Sequence, residues 1–501
     1  MNKKVLKLGT RKSLLAISQS SWVARELERL NPGIEIVLEG IETRGDIILD
    51  KPLSQIEGKE FFTAELDHAL LRGDVDLTVH SMKDLSVDRP SAFTLSAVPL
   101  RELPHDCILF HSSVMERLKQ GKPIRIGTSS PRRLTLIPGF LKKALPRFGN
   151  ADPSLQFIEI RGNVNTRLSR VHEPESSEKK LDGVVLAFAG LERLAIDAKA
   201  SIELNRLLEN TRMMVPPLKL CPSAPAQGAL AVEARTADAE TRAIVSKLHH
   251  EPSAYAALAE REILIEWGGG CHQKLGASYL PSGTLIIRGE KPNGEWTEEL
   301  RGKVQKDISS FTKIEASDIF DFKAVDLSDD QKSLLENTSL VFVAHSRAAE
   351  FLKDPSFLAD PKKRVWVSGT KSWFKLADQG IWVEGSAESH GIDAFLPILK
   401  KKLLRFNAPK LLVLTHHESE STEGTQNLAT YGHSFREIPQ KFQQNQSIYW
   451  GSGLSFQTLW GKLGPDAFKG KQHACGLGKT AKVIQEKLKP IGIEPELFSM
   501  E

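Results

Sequence analysis

Short apolar runs alternate with helix-length amphipathic segments along most of the chain, and this alternation restricts the fold more than any other feature. It is the pattern of an α/β architecture, in which helices cover a largely parallel sheet. Val75, Leu77 and Val79 alternate with polar residues, which predicts a half-buried strand ending at His80. Phe62, Leu66, Ala69 and Leu70 precede it at helical spacing. Further strands are predicted over 124–126, 157–160 and 184–189, and a helix over 253–267 that Gly268-Gly269-Gly270 stops. A polar stretch over 310–336, with acidic residues and serine pairs, reads as a domain boundary. Beyond it the alternation restarts, with strands over 340–344, 365–367, 411–414 and 448–450. Segments 365–372 and 473–481 each read as strand, glycine turn, hydroxyl residue and helix, an internal echo that predicts two similar lobes. A chain of 501 residues has room for about three domains.

Composition removes several function classes. A net charge of +4 is too small a basic excess to select nucleic acid, and the arginines lack interleaved aromatics. Cys107, Cys221, Cys271 and Cys475 are widely spaced and form no CxxC, so neither a disulfide framework nor a structural zinc site is expected. No metal is called for. The basic start Met1-Asn2-Lys3-Lys4 leads into no apolar run of the signal-peptide kind, and no segment approaches the roughly 18 apolar residues of a membrane span. A cytoplasmic protein without a membrane partner is expected. The residues specify no oligomeric state.

The chemistry collects in loops at strand ends, where open α/β sheets bind ligands. His80-Ser81-Met82-Lys83-Asp84 follows the strand that ends at His80. Its Lys83–Asp84 pair is either a solvated ion pair or a carboxylate that moves protons beside a cation that meets an anion. In Gly127-Thr128-Ser129-Ser130-Pro131-Arg132-Arg133, Ser130 can cap a helix that Pro131 opens, presenting free N–H groups to an anion. Two consecutive arginines point to different sides of such a helix, so both need not bind. Arg161-Gly162-Asn163-Val164-Asn165-Thr166-Arg167 supplies two more guanidinium forks, which grip carboxylates bidentately. Thr10-Arg11-Lys12-Ser13 and Thr43-Arg44-Gly45-Asp46 repeat the theme. Together these loops describe a cleft for a ligand with many carboxylates. Cys271 follows three glycines past a helix end, a position that disfavours a thiolate, and so resembles neither a buried cysteine nor a protease-type nucleophile.

In this order the loops resemble hydroxymethylbilane synthase, also called porphobilinogen deaminase, over roughly residues 5–300. Leu186 to Leu191 with Arg193, Pro225-Ala226-Gln227-Gly228-Ala229 and Gly269-Gly270-Cys271 complete the match. The resemblance implies a dipyrromethane cofactor in thioether linkage to Cys271, with porphobilinogen as substrate and a linear tetrapyrrole as product in haem biosynthesis. It makes Asp84 the catalytic carboxylate that assists loss of ammonia and steadies the electron-poor azafulvene. It assigns Lys83, Arg132, Arg133, Ser129 and Arg161 to cofactor binding, and Arg11, Ser13, Arg167, Arg193 and Gln227 to substrate binding. Gln273 and Lys274 after His272, and Glu60 in place of a glycine, depart from the family pattern. The implied fold has two periplasmic-binding-protein-like α/β lobes and a small α/β third domain. The first lobe covers 1–100 with a return segment 229–246, the second 105–222, and the cofactor-anchoring domain 250–310.

Residues 325–501 resemble uroporphyrinogen-III synthase, a two-lobed α/β enzyme acting next in the same pathway. Leu340-Val341-Phe342 leading to Ser346-Arg347-Ala348 carries part of the resemblance, with His345 in an expected serine position. Gly369-Thr370-Lys371-Ser372, Tyr449-Trp450-Gly451-Ser452-Gly453 and Lys479-Thr480-Ala481 carry the rest, and make Ser372, Ser452 and Thr480 the candidate residues there. The family's Thr-Arg-Pro start is absent. The implied activity is a lyase-type cyclisation of hydroxymethylbilane to uroporphyrinogen III, which would make the enzyme multifunctional. The alternative is a pair of lobes used only for docking.

Overall fold

A computed structural model describes residues 4–43, 63–270, 273–302, 308–352, 355–360, 362–406 and 410–498. The fold is mixed α/β and divides into two compact units. The first comprises Met1–Lys142, Pro153–Tyr279 and Leu285–Glu299; the second comprises Lys143–Asp152, Leu280–Thr284 and Leu300–Glu501. Among the described residues no helix is long and apolar enough to cross a membrane.

The first unit contains two five-stranded sheets of like design. One orders its strands Ile34–Ile41, Lys4–Arg11, Leu77–Ser81, Leu230–Arg235 and Phe93–Ala97; the other orders them Leu155–Ile158, Ile124–Gly127, Gly183–Ala187, Asp106–His111 and Thr211–Met214. In each, the fourth strand runs antiparallel to both neighbours. Because the first sheet borrows Leu230–Arg235 from late in the chain, the backbone crosses between the two lobes twice. The crossings touch at Gly228, whose carbonyl accepts the Glu102 amide at 3.2 Å. Gly228 has φ +90°, and a Cβ there would stand 2.3 Å from the Glu102 carbonyl oxygen, so only glycine fits.

The strand Leu77–Ser81 is buried on both faces rather than half-buried. Leu77 and Val79 pack with Val23 and Leu27 of the helix Leu14–Leu30. Thr78 and His80 turn to the opposite face, which is also closed. There Arg89 binds the buried Asp67 and Glu233, each at 2.7 Å, and His80 meets the Thr78 hydroxyl at 3.1 Å. The alternation of polar with apolar residues was real, but the polar face is filled by a satisfied ion cluster instead of water. The strand predicted over 157–160 lies two residues earlier, at Leu155–Ile158. The helix after Gly183–Ala187 begins at Phe188, shortening the strand predicted over 184–189.

The helix Glu251–Glu266 packs on the sheet of Lys274–Tyr279, Leu285–Glu290 and Trp296–Arg301, with Ile263, Leu264, Trp267, Leu275 and Ile287 in the core between them. Gly268, Gly269 and Gly270 follow the helix with φ of 90°, 71° and 91°, a succession that residues with a Cβ do not adopt cheaply.

The second unit holds a six-stranded sheet, ordered Phe320–Ala324, Thr425–Phe435, Leu411–His416, Leu340–Val343, Arg364–Val367 and Val383–Ser386. A four-stranded parallel sheet orders Thr312–Ile314, Ser447–Trp450, Gln472–Gly476 and Glu496–Phe498, beside a core of Phe442, Trp450, Phe456 and Phe468. The polar stretch over 310–336 is therefore folded. It supplies the edge strand of each sheet and the helix Asp329–Asn337. An edge strand keeps one side solvated, which is why its composition imitates a linker. The two echoing segments fall one in each sheet, as Arg364–Val367 with helix Thr370–Asp378, and as Gln472–Gly476 with helix Lys479–Leu488.

Candidate active site

The site in the first unit grows from the loop that ends Leu77–Ser81. Met82–Asp84 forms one short helical turn, with Met82 buried and Asp84 exposed. The turn is pinned from behind by Arg261 of the helix Glu251–Glu266. Its guanidinium donates to the carbonyls of Met82, Leu85 and Ser86 at 2.8, 3.0 and 2.8 Å. The same helix is tied to the lobe crossing by Glu260, which accepts from Arg101 at 2.8 and 2.7 Å and from the Ala226 amide at 2.8 Å. The glycine run that follows lies against this loop, since a Cβ on Gly269 would stand 3.2 Å from Val87 Cγ2. Cys271 itself lies outside the described residues, as do Arg44, Asp46 and Glu60.

Lys83 donates to Gln227 Oε1 at 3.3 Å. Gln227 is buried and donates in turn to the carbonyl of Pro104 at 2.6 Å and to Asp106 Oδ1 at 3.1 Å. Asp106 is the centre of the arrangement, and nothing in the sequence reading identified it. Arg132 reaches it at 2.8 Å and Arg133 at 2.8 Å, so the consecutive arginines converge on one carboxylate instead of diverging. They sit in the first turn of the helix Pro131–Ala144. Arg132 also donates to the Pro222 carbonyl at 2.9 Å, and Arg133 to that of Val185 at 2.8 Å. Burial alone would raise the Asp106 carboxyl, but the charges and hydrogen bonds of Arg132 and Arg133 outweigh it. They hold the group well below the usual carboxylate range. A signal was present: Asp106 opens the apolar run 107–110, and a charge there needs a strong partner.

The remaining cations stand nearby. Arg167 donates to the Gly162 carbonyl at 2.7 Å from the helix Val164–Ser169, which Asn163 caps. Burial pushes Arg167 down to about 10, helped by the charges of Arg133, Arg161 and Arg170 and opposed by Asp84. Lys83 is likewise lowered by burial, with Arg133 and Arg132 adding to it and Asp84 and Asp106 opposing. Asp84, Lys83, Arg132, Arg133, Arg161 and Arg167 thus share one electrostatic neighbourhood in which positive charge exceeds negative. Such a donor set fits a polycarboxylate, whose charge would relieve the mutual repulsion of the cations. Ser129 donates its hydroxyl to the Ile160 carbonyl, fixing the loop that carries Arg161. Arg193 donates to the Gly228 carbonyl at 2.6 Å, beside Gln227, and burial lowers it to about 10 against the charge of Glu102. Arg11 ends the neighbouring strand Lys4–Arg11, where its charge is felt at His80, and Ser13 caps the helix Leu14–Leu30 by accepting from the Ala16 amide at 3.3 Å.

In the second unit, Ser452 caps the helix Gly453–Leu463 by accepting from the Ser455 amide at 3.2 Å. The turn it starts packs against Thr480, whose Cα lies 3.5 Å from where a Cβ on Gly453 would be. Ser372 is buried in the helix Thr370–Asp378 of the six-stranded sheet. His345 takes up the capping task expected of a serine, its ring accepting from the Arg347 amide at 3.1 Å.

Comparison with known families matches residues 6–243 to the model described as porphobilinogen deaminase, dipyromethane cofactor binding domain. The porphobilinogen deaminase of Geobacter metallireducens is 36% identical over 315 residues, covering 63% of this chain and 90% of that protein. That of Geobacter sulfurreducens is 35% identical, covering 62% and 88%. That of Synechococcus elongatus is 36% identical, covering 60% and 86%.

Proposed function

The chain belongs to the porphobilinogen deaminase family, and from that premise we propose that its first unit condenses porphobilinogen head to tail into hydroxymethylbilane with Asp84 as the catalytic carboxylate. A dipyrromethane joined by thioether to Cys271 supplies the primer to which the pyrroles are added. The observation that carries the assignment is the exposed Asp84 on a turn that Arg261 fixes, in the field of Lys83 and Arg167. An ionised carboxylate there can hold a proton at the departing amine and steady positive charge on the substrate as the C–N bond breaks. Arg11, Arg161, Arg167 and Arg193 bind acetate and propionate groups, and Ser13 and Ser129 order the loops that carry Arg11 and Arg161. Arg132 and Arg133 act as fixed cations from a buried position. Lys83 is linked to them through Gln227 and Asp106, so the cations are held in fixed positions relative to one another.

We also propose that the second unit cyclises the linear product to uroporphyrinogen III. Support comes from its two α/β sheets and from Ser452 and Thr480, which adjoin at the carboxyl ends of neighbouring strands. One experiment reads both activities. The full chain is incubated with porphobilinogen, the products are oxidised, and the uroporphyrin isomers are separated. Type III product is the expected result. Type I alone would remove the second activity and keep the first; consumption of no porphobilinogen would remove the first, and hydroxymethylbilane supplied directly then reads the second.

A further inference from the structure

We propose that His417, Glu418 and His433 form a binding site for a divalent transition-metal ion of the zinc class on the six-stranded sheet of the second unit. The strand Leu411–His416 carries a bulge between Thr415 and His416, where its pairing with Thr425–Phe435 slips by one residue. Bulges re-aim side chains. Here the bulge brings His417 across to the neighbouring strand, where its amide donates to the Tyr431 carbonyl at 3.1 Å and its ring approaches Gly432 and His433.

The distances suit a metal sphere. His417 Nε2 lies 3.3 Å from one oxygen of Glu418, and His433 Nε2 lies 3.2 Å from the other. The ligand atoms of the three residues all fall within 4.8 Å of one another. Ligands about 2.0–2.1 Å from a tetrahedral zinc stand roughly 3.3 Å apart, so little movement is needed to close around an ion. Two imidazoles and a carboxylate are borderline donors that favour zinc and its neighbours over calcium or magnesium, and they leave one position open.

The histidines are also held for such a role. The side chain of His433 is 5% exposed, and its ring packs edge-on against Phe320 with centroids 4.7 Å apart. The ring of His416 packs edge-on against that of His433, with centroids 5.2 Å apart. Nδ1 of His416 is buried without a hydrogen-bond partner among the described residues. A buried imidazole nitrogen left unused in this way costs stability unless something engages it. The other group with suitable spacing among the described residues, the buried Asp67, His80 and Glu233, is closed to a cation because Arg89 already occupies its carboxylates.

The test is titration of the full chain, stripped of metal by a chelator, with Zn²⁺ by calorimetry and with Co²⁺ by visible absorption. Saturable binding of one equivalent is expected, with the intense visible band of tetrahedral cobalt. His417→Ala and Glu418→Gln, both at exposed positions that should not disturb folding, should each weaken binding by at least about tenfold, because losing even an outer hydrogen-bond partner of a ligand costs that much. His249→Ala removes a histidine that pairs with Glu251 at 3.1 Å on the first unit, and should leave binding unchanged. Absence of saturable binding, or binding that persists at full strength in both His417→Ala and Glu418→Gln, overturns the proposal.

Discussion

Replacing Asp84 by Asn lowers kcat by about a hundredfold to ten-thousandfold, the usual contribution of a positioned proton-transfer group, while the protein stays folded. The fold should tolerate the change because Asp84 is exposed and makes no hydrogen bond among the described residues. The Met82–Asp84 turn is instead held through main-chain carbonyls by Arg261. Asparagine keeps the size and polarity of the side chain but can neither take a proton nor balance the charge of Lys83 and Arg167. Substrate affinity should therefore change much less than turnover, since the carboxylate groups of the substrate meet the arginines. Steady-state kinetics with a thermal-unfolding control checks the prediction. Normal kcat in a folded Asp84→Asn variant would remove the residue from the mechanism.

Asp106→Ala should be among the most destabilising single changes in the first unit. The carboxylate is fully buried and answers two guanidinium groups that are themselves buried, at 3% and 6% exposure. Removing one partner of such a cluster leaves uncompensated charge in a low-dielectric interior, at a cost of about 3–5 kcal/mol. The loss has a pH signature. Arg132 and Arg133 depress the carboxyl in the folded state, so its stabilisation is fully present above the unfolded value of about 4 and fades as pH falls toward the folded one. The gap between wild type and Asp106→Ala in urea unfolding should be flat from about pH 5 to 8 and narrow below about 4. A gap that is small at neutral pH, or that widens in acid, would contradict this account.

Much of this site was legible because parallel α/β folds put their ligand loops at strand ends, and short polar loops rich in arginine stand out there. His80–Asp84, Gly127–Arg133 and Arg161–Arg167 could be found in that way. Asp106 carried only the signal of a charge opening an apolar strand, and its partners could not be named because they lie 26, 27 and 121 residues away. Arg261 escaped for a similar reason: it lies within a helix whose apolar and polar residues are not segregated to opposite faces, and its targets are carbonyls that carry no sequence signal. Local pattern also misjudged Leu77–Ser81, since polar alternation does not tell a solvated face from one filled by Arg89, Asp67 and Glu233. Edge strands were the other blind spot, because Thr312–Ile314 and Phe320–Ala324 carry the composition of a linker.

The proposal as a whole requires that the growing chain of pyrroles be attached to the protein through sulfur while the arginines hold its carboxylates. The most direct measurement is the intact mass of the purified full-length polypeptide, beside that of Cys271→Ser. Wild type should be heavier than its sequence by one dipyrrole unit, gain further pyrrole increments on brief exposure to porphobilinogen, and lose both properties in the variant. A wild-type mass equal to that of the bare polypeptide, before and after such exposure, would contradict the account.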